Sequence, residues 1–312
     1  MGQAGAARAV RHERIGDREL HPTDVPEGAI RHAVTRGGRR WVVRTDGRDR
    51  LIEGTLADLL ALPLDEARAR IDAATPVDHP FDVAAPVDAQ EVWAAGVTYE
   101  RSRDERMAES SEASIYDRVY VAERPELFFK APASRVVGPG EPVGIRVDSD
   151  WDVPEPELGL VFTSRGELFG YVPGNDMSSR SIEGDNPLYL PQAKVYEAAC
   201  ALGPAIVPVW AVDGPFDIGL EIERDGAIAF TGTASSASIT RTAEDLGAWL
   251  FAAMPFPAGA VLLTGTGIVP PESFTLAAGD VVRVSLGGVG VLENPVREVG
   301  TDLRGRTKES AR

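Results

Sequence analysis

Short apolar runs separated by turn residues fill the chain from residue 91 to about residue 295, and they constrain its fold more than any other feature. Turn signals such as Ser164-Arg165-Gly166 and Asp225-Gly226 divide these runs, which is the pattern of successive strands. Only residues 99–122 and 242–252 have a helical pattern in this region. The sequence therefore predicts an α+β fold dominated by strands. Examples of the runs are ELGLVFT (157–163), LFGYV (168–172), AVLLTG (260–265) and VVRVSL (281–286).

The first quarter of the chain has a different pattern, typical of a small α/β domain. WVVRTDGRDRLIE (41–53) predicts a hairpin with its turn at Asp46-Gly47. Two short helices are expected next, separated by Pro63. The Pro-rich segment 75–90 is expected to be a linker. The expected organisation is an N-terminal domain and linker over 1–85, a strand-rich domain over 86–300 and a tail over 301–312.

Composition excludes several classes of partner. The formal charge of -16 argues against nucleic acid or an anionic membrane surface, because both are polyanions. No run reaches the roughly 18 apolar residues that a membrane-spanning helix requires. The N-terminus has no long apolar stretch behind a basic start, so no signal peptide is expected. Cys200 is the single cysteine, so an internal disulfide is excluded. These features predict a soluble cytoplasmic protein.

The positions of histidine and lysine limit the available chemistry. All four histidines lie at or before position 79, so the strand-rich region has no Ser-His-Asp triad or histidine zinc site of its own. The chain has three lysines, Lys130, Lys194 and Lys308, and uses arginine for its other basic residues. Lysine is a compact donor whose pKa shifts readily on burial. A chemical role for the first two lysines is one interpretation, and chance retention is the other.

Glu155 and Glu157 are a candidate metal-binding pair. Flanking prolines favour extended backbone, and alternate residues of an extended chain project from one face. If the runs on either side of residues 164–166 form a hairpin, Asp176 returns close to both glutamates. Three carboxylates at one point repel one another unless a cation lies between them, and oxygen ligands suit Mg²⁺, Mn²⁺ or Ca²⁺. The alternative is a solvated glutamate pair at a strand edge.

Several motifs resemble the fumarylacetoacetate hydrolase family in order and spacing. They are ExEL at 155–158, GYxxGNDxSxR at 170–180, AK at 193–194 followed by GP, and LLTGTG at 262–267. The match covers about residues 91–295. The resemblance implies a mixed β-sandwich roll that assembles as a homodimer or homotetramer.

The resemblance also implies roles for individual residues. Glu155, Glu157 and Asp176 are expected to hold Mg²⁺, with Mn²⁺ or Ca²⁺ as substitutes. Lys194 is expected to face the substrate, and Thr266 in the Thr264–Gly267 turn is expected to bind the carboxylate of that substrate.

One departure from the family pattern concerns its carbon–carbon hydrolases. Those members carry a catalytic histidine shortly after a G-x-x-Y motif, which here is Gly96-Val97-Thr98-Tyr99. Ser102 stands where that histidine is expected. A hydrolase would therefore need another base, such as Glu109 or Glu112 in the helix expected over 99–122. That helix is a candidate lid, and the alternative is a solvated surface helix.

Three further runs resemble the sugar-acid branch of the family. They are GVTY, PELFFK and RSIEGDNPLYLPQAKVY (180–196), the last of which includes a segment, 185–194, expected to be a loop. That branch dehydrates 2-keto-3-deoxy-D-arabinonate, equally 2-keto-3-deoxy-D-xylonate, to 2,5-dioxopentanoate through a metal-stabilised enolate. A base near C3 and an acid near the leaving hydroxyl are required.

The candidate residues for this chemistry come from the same runs. Glu126 shares one strand face with Phe128 and Lys130 and is a candidate acid or base, the alternative being a salt bridge to an arginine. Lys194 is the second candidate for proton transfer. Lys130 is a candidate substrate contact or a structural ion pair. Further candidate substrate contacts are Ser102, Asp185 and Asn186.

Two other functions compete with the dehydratase hypothesis. A hydrolase or decarboxylase acting on an acylpyruvate or oxaloacetate-like 2-oxo acid would belong to the same family, but its histidine is missing. The chain could also be a non-catalytic, metal-stabilised binding protein, but Lys194 and the LLTGTG turn would then have no functional role.

Overall fold

The computed structural model describes residues 25–77, 81–99 and 118–302. The expected lid helix over 99–122, with Ser102, Glu109 and Glu112, falls almost entirely outside these ranges. Within the described residues, no helix combines the length and the apolar character needed to cross a bilayer. Strands dominate the described part, as the run pattern predicts.

The N-terminal segment forms a five-stranded sheet with two helices inserted between its third and fourth strands. The hairpin predicted at residues 41–53 is confirmed, and both residues of its Asp46-Gly47 turn have positive φ, as a tight two-residue hairpin requires. The strands follow the order β4-β3-β2-β1-β5. Their bounds are β1 Ile30–Thr35, β2 Gly38–Thr45, β3 Arg48–Ile52, β4 Thr75–Pro76 and β5 Asp82–Ala84, with helices α1 Leu56–Leu60 and α2 Leu64–Asp72.

The segment 75–90 was expected to be a linker, and two short strands of the N-terminal sheet lie within it. Strand β4 pairs with β3, and β5 pairs with β1 through His32 opposite Ala84 and Val34 opposite Asp82. The run Asp82–Ala84 supplies a short strand because its backbone groups complete the open edge of β1. Prolines in this segment limit the length of both strands without excluding them from a sheet edge.

An eight-stranded mixed sheet forms the centre of the molecule. Its strand order is β7-β6-β18-β11-β12-β14-β8, and β15 also pairs with β12. The β18–β6 and β14–β8 pairs are parallel, and the other pairs are antiparallel. The bounds are β6 Glu91–Gly96, β7 Glu126–Pro132, β8 Val136–Val137, β11 Pro156–Phe162, β12 Leu168–Asp176, β14 Cys200–Leu202, β15 Val207–Pro208 and β18 Ala260–Leu263.

A second five-stranded sheet packs against one face of the central sheet, in the order β17-β16-β19-β20-β9. A two-stranded ribbon and short helices complete the described elements. The bounds are β9 Val143–Arg146, β10 Asp152–Val153, β13 Ser178–Ser179, β16 Asp217–Arg224, β17 Ala227–Ser235, β19 Val281–Leu286, β20 Gly290–Val299, α3 Arg180–Asp185, α4 Leu190–Lys194, α5 Ala243–Phe251, and 3-10 helices Ala133–Arg135, Pro187–Tyr189 and Ser236–Ser238.

Strand β11 is buried along its whole length because both of its faces are covered. Leu158, Leu160 and Phe162 enter the core between the two sheets, together with residues of β16 and β19. Val161 points to the other face and belongs to a cluster that includes Leu56, Leu59 and other apolar residues of the N-terminal segment. The central sheet thus lies between the second sheet on one face and the N-terminal segment on the other.

The domain boundary expected at residue 85 stays a prediction.

His32 links the N-terminal sheet to the chain entering the central sheet. Its ring stacks on Trp41 with centroids 4.5 Å apart, and its Nδ1 lies 2.9 Å from the carbonyl oxygen of Ala85. Burial lowers the pKa of His32 below its ordinary value, which outweighs the opposite effect of the Ala85 carbonyl. The neutral imidazole is therefore the form that the folded protein favours.

We expect His32 to make the protein less stable in mild acid. Because its pKa is lower in the folded state, its contribution is complete above about pH 6.5 and is lost as the pH falls below that value. His32→Phe keeps a flat ring against Trp41 and removes the titration. Urea unfolding at pH 7.5 and 5.5 should show a smaller loss of stability in the variant than in the wild type. Equal losses in both proteins would contradict this role.

Candidate active site

A hairpin between β11 and β12 assembles the predicted carboxylates. The strands pair with Glu157 opposite Gly174 and Pro156 opposite Asn175, and the turn between them lies at residues 163–166. The backbone N–H of Asp176 donates to the carbonyl of Glu155 at 2.9 Å. The hairpin predicted from the turn signal is therefore confirmed. Its geometry returns Asp176 to the side of the two glutamates.

The three carboxylates form a compact buried cluster. One oxygen from each of Glu155, Glu157 and Asp176 lies within 4.8 Å of the others, and all three residues are almost fully buried. Glu157 accepts a hydrogen bond of 2.6 Å from the backbone N–H of Gly265. Burial raises the pKa of Glu157 well above its ordinary range, and repulsion from Asp176 and Glu155 raises it further.

Three basic side chains surround the cluster. Lys194 Nζ lies 2.9 Å from Glu155 Oε1 and 3.0 Å from Asp176 Oδ2. Arg180 Nη2 lies 3.3 Å from Glu155 Oε1, and Lys130 forms an ion pair with Asp176 Oδ1. These contacts lie mainly on Glu155 and Asp176. Glu157 receives the Gly265 N–H but no direct ion pair among the described residues.

The donor set fits a hard divalent cation. All three groups supply carboxylate oxygen, which is the ligand type that Mg²⁺, Mn²⁺ and Ca²⁺ prefer. Burial, and then repulsion from Asp176 and Glu155, raise the pKa of Glu157, and a bound cation would offset both effects. Glu155, Glu157 and Asp176 are the residues that would hold the ion.

A pocket opens beside the carboxylate cluster. Glu126 and Phe128 of β7 form part of one wall, and Lys194 lies at the end of α4. Gly96 leaves room for Glu126, because a Cβ atom at position 96 would overlap the Glu126 carboxylate. The complete lining is Ala95, Gly96, Val97, Glu126, Phe128, Glu155, Glu157, Asp176, Arg180, Glu183, Leu190, Lys194, Gly265 and Thr266.

Gly265 and Thr266 of the Thr264–Gly267 turn also line the pocket. Gly265 has a φ of +86°, and a side chain there would collide with the Thr98 hydroxyl, so glycine is required on both counts. Thr98 Oγ1 donates to the carbonyl of Thr264 at 2.5 Å, which fixes the turn against the end of β6. Thr266 is buried, and its hydroxyl accepts a hydrogen bond from the N–H of Ile268 at 3.1 Å.

Other predicted site residues lie away from the pocket or outside the described ranges. Lys130 is fully buried and does not line the pocket. Its ion pair with Asp176 agrees with the second of the two alternatives predicted for it, a structural ion pair. Asp185 is exposed, and Asn186 caps the following 3-10 helix by accepting from the N–H of Leu188 at 2.9 Å. Neither lines the pocket. Ser102 falls among residues that the structure does not describe.

The segment 185–194 was expected to be a loop, and it contains a 3-10 helix followed by α4. Asn186 begins the 3-10 helix as its cap, and Pro191 lies in the first turn of α4, where a proline costs no hydrogen bond. These two short helices bring Lys194 over the cluster. Pro187 and Pro191 both lie at helix starts, where proline is tolerated.

Two charged pocket residues were given no role in the sequence analysis. Arg180 and Glu183 are both buried at the start of α3, and both line the pocket. The Ser178 hydroxyl donates to Glu183 Oε2 at 3.1 Å. Arg180 is the last position of the GYxxGNDxSxR motif, and this position was the sequence signal that could have identified it as a site residue. Glu183 lies three residues farther on, so a helix beginning at Arg180 places both side chains on one face.

The chain belongs to the fumarylacetoacetate hydrolase family, because residues 91–297 match the family described as Fumarylacetoacetate (FAA) hydrolase C-terminal. This match confirms the resemblance drawn from the motifs.

Its similar proteins include two sugar-acid dehydratases. The chain is 46% identical over 250 residues to a probable 2-keto-3-deoxyxylonate dehydratase of Haloferax volcanii, a match that covers 80% of this chain and 85% of that protein. It is 40% identical over 222 residues to the 2-dehydro-3-deoxy-D-arabinonate dehydratase of Saccharolobus solfataricus, covering 69% and 74% of the two chains.

A solved structure of 2-keto-3-deoxy-D-arabinonate dehydratase, complexed with magnesium and 2,5-dioxopentanoate, has the same fold. Its TM-score is 0.79 at 32% identity, and the alignment covers 88% of this chain and all of that one. The predicted family fold, an α+β roll rich in strands, is therefore confirmed.

We expect Glu157→Gln to stabilise the metal-free protein. A raised pKa means that folding penalises the ionised carboxylate, and this penalty grows as the pH rises above about 4.5. The amide keeps an acceptor for Gly265 N–H and removes the charge. At pH 8 with EDTA the melting temperature should rise by several degrees, since 1 kcal/mol corresponds to about 2–4 °C in a domain of about 200 residues.

The same variant tests the cation site. Millimolar Mg²⁺ should raise the melting temperature of the wild type, because a ligand that binds only the folded state stabilises it, and should raise that of Glu157→Gln much less. A variant that melts lower than the wild type in EDTA, or that responds equally to Mg²⁺, would contradict this account of the cluster.

Proposed function

We propose that the protein is a Mg²⁺-dependent hydro-lyase that converts 2-keto-3-deoxy-D-arabinonate, equally 2-keto-3-deoxy-D-xylonate, into 2,5-dioxopentanoate. The observation that carries the proposal is the buried Glu155–Glu157–Asp176 cluster beside Lys194 in a pocket. The similarity to two dehydratases, and to a structure holding magnesium and 2,5-dioxopentanoate, supports this substrate class.

The pocket has the groups needed to bind and orient a 2-oxo acid. Lys194 and Arg180 provide positive charge next to the carboxylate cluster, and Thr266 also lines the pocket. These groups are suited to the substrate carboxylate. When bound, a divalent cation supplies an electrophile that polarises the 2-keto group and acidifies the C3 protons.

Glu126 and Lys194 are the proposed proton carriers. Glu126 takes a C3 proton, the C4–O bond breaks, and the leaving hydroxide receives a proton from Lys194 and departs as water. Loss of a C5 proton and return of a proton to C3 then convert the unsaturated alcohol into the 4,5-enol. This enol becomes the 5-aldehyde when its hydroxyl loses a proton and C4 gains one. No net oxidation occurs. Among the described residues no histidine lines the pocket, since His32 lies in the N-terminal sheet.

The Glu183 carboxylate is suited to a substrate hydroxyl. It lines the pocket, is buried, and accepts a hydrogen bond from Ser178. We also propose that the enzyme acts in the cytoplasm as a homodimer or homotetramer, which the metabolic substrate class and the family support.

The first test is a product assay with the purified protein and 2-keto-3-deoxy-D-arabinonate, with Mg²⁺ and with EDTA. We expect 2,5-dioxopentanoate to form only when Mg²⁺ is present, because the carboxylate cluster needs the cation to activate the keto group. The C4 epimer serves as the control for substrate configuration. Release of pyruvate would instead indicate carbon–carbon cleavage, and turnover in EDTA would exclude a metal-dependent reaction.

We expect Lys194→Met to lower kcat by about 10²- to 10⁴-fold, the usual contribution of a proton-transfer group. The three carboxylates remain, so calorimetry should still detect Mg²⁺ binding. Glu126→Gln should lower kcat in the same way while keeping its shape against Gly96. Lys308→Met, which removes the third lysine far along the sequence, is the control and should retain wild-type turnover. Full activity in the Lys194 variant would exclude this mechanism.

A further inference from the structure

Lys130 has contacts that the proposed reaction does not use. Its side chain is fully buried, and its ammonium forms an ion pair with Asp176 Oδ1. It also donates to the carbonyl of Met177 at 2.9 Å and to the carbonyl of Lys194. The residue therefore connects β7 to the end of β12 and to the end of α4, beneath the carboxylate cluster.

The two oxygens of Asp176 have different partners. Oδ1 is paired with Lys130, whereas Oδ2 lies 3.0 Å from Lys194 Nζ. Lys194 lines the pocket, so its ammonium has space to move away from Oδ2. Lys130 is enclosed by protein and is held by two carbonyl groups. Its ammonium would therefore stay on Oδ1 if a cation bound through the other oxygen.

We infer that Lys130 determines which divalent cation the site prefers, by restricting Asp176 to a single ligating oxygen. Mg²⁺ takes six ligands in a strict octahedron, keeps several waters and uses carboxylates through one oxygen. Ca²⁺ takes six to eight ligands and frequently binds both oxygens of one carboxylate. An Asp176 that offers one oxygen therefore favours Mg²⁺ over Ca²⁺. This inference rests on the metal site of the proposed function.

The test measures the ratio of the Ca²⁺ and Mg²⁺ dissociation constants by calorimetry, with no substrate present. Lys130→Met removes a positive charge, which strengthens binding of both divalent cations, so this effect cancels in the ratio. It also frees Oδ1, which benefits Ca²⁺ alone. We expect the preference for Mg²⁺ to fall by about tenfold, of the size that outer ligand partners contribute to metal affinity.

Lys194→Met is the matched control, because it removes the same charge from the other oxygen of the same carboxylate. It also removes the Lys194 contact with Glu155 Oε1, but that oxygen keeps its contact with Arg180. Lys130 stays on Asp176 Oδ1, so the Mg²⁺ preference should equal that of the wild type. Lys130→Gln keeps a shorter, uncharged donor that can still contact a carbonyl, and should shift the ratio in the same direction by a smaller factor. If circular dichroism shows that Lys130→Met does not fold, the Lys130→Gln variant replaces it in the measurement.

The outcomes separate the two proposals. A wild type that binds neither cation overturns the metal site and this inference together. A wild type that binds Mg²⁺, with the same ratio in both Lys130 variants, overturns the role of Lys130 and leaves the proposed function intact. An equal change of the ratio in Lys194→Met also overturns it, because the charge and not the oxygen would then set the preference.

Discussion

Mutual repulsion among three buried carboxylates is the constraint around which this molecule is arranged. Glu155, Glu157 and Asp176 are withdrawn from water, and ionised carboxylates in such a place require partners. Two lysines and an arginine provide them, each from a different element. Because a missing partner would leave a buried charge uncompensated, the positions of β7, α3 and α4 are tied to the β11–β12 hairpin.

The electrostatic balance also suits an acidic substrate. Three carboxylates and three basic groups cancel formally, and a divalent cation would offset the two further carboxylates of the pocket, Glu126 and Glu183, so that the formal sum is zero and an anion meets no net repulsion there. The chain as a whole carries a formal charge of -16 and repels anions at long range. Attraction therefore operates at short range, within about one Debye length of roughly 8 Å in physiological salt.

The strand pattern and the carboxylate motif could be predicted because both depend on local spacing. Residues that are neighbours in the sequence determine both the turn between β11 and β12 and the extended backbone before Glu157. The contributions of Arg180 and Glu183 depend on a helix of six residues whose start is set by tertiary packing, and spacing alone does not reveal it. The strand at Asp82–Ala84 was missed for the same reason, since the open edge of β1 creates it.

The apolar cluster that covers strand β11 extends beyond the part of the chain that matches the family. The family match begins at residue 91, yet Val161 and Leu263 of the matched region share one apolar cluster with Ile30, Leu56 and Leu60. A fragment cut at residue 91 would expose the back of the sheet that carries Glu157 and Asp176. The recognisable family sequence therefore supplies only one side of this apolar cluster, and the first quarter of the chain supplies the other side, against the sheet that carries the carboxylates.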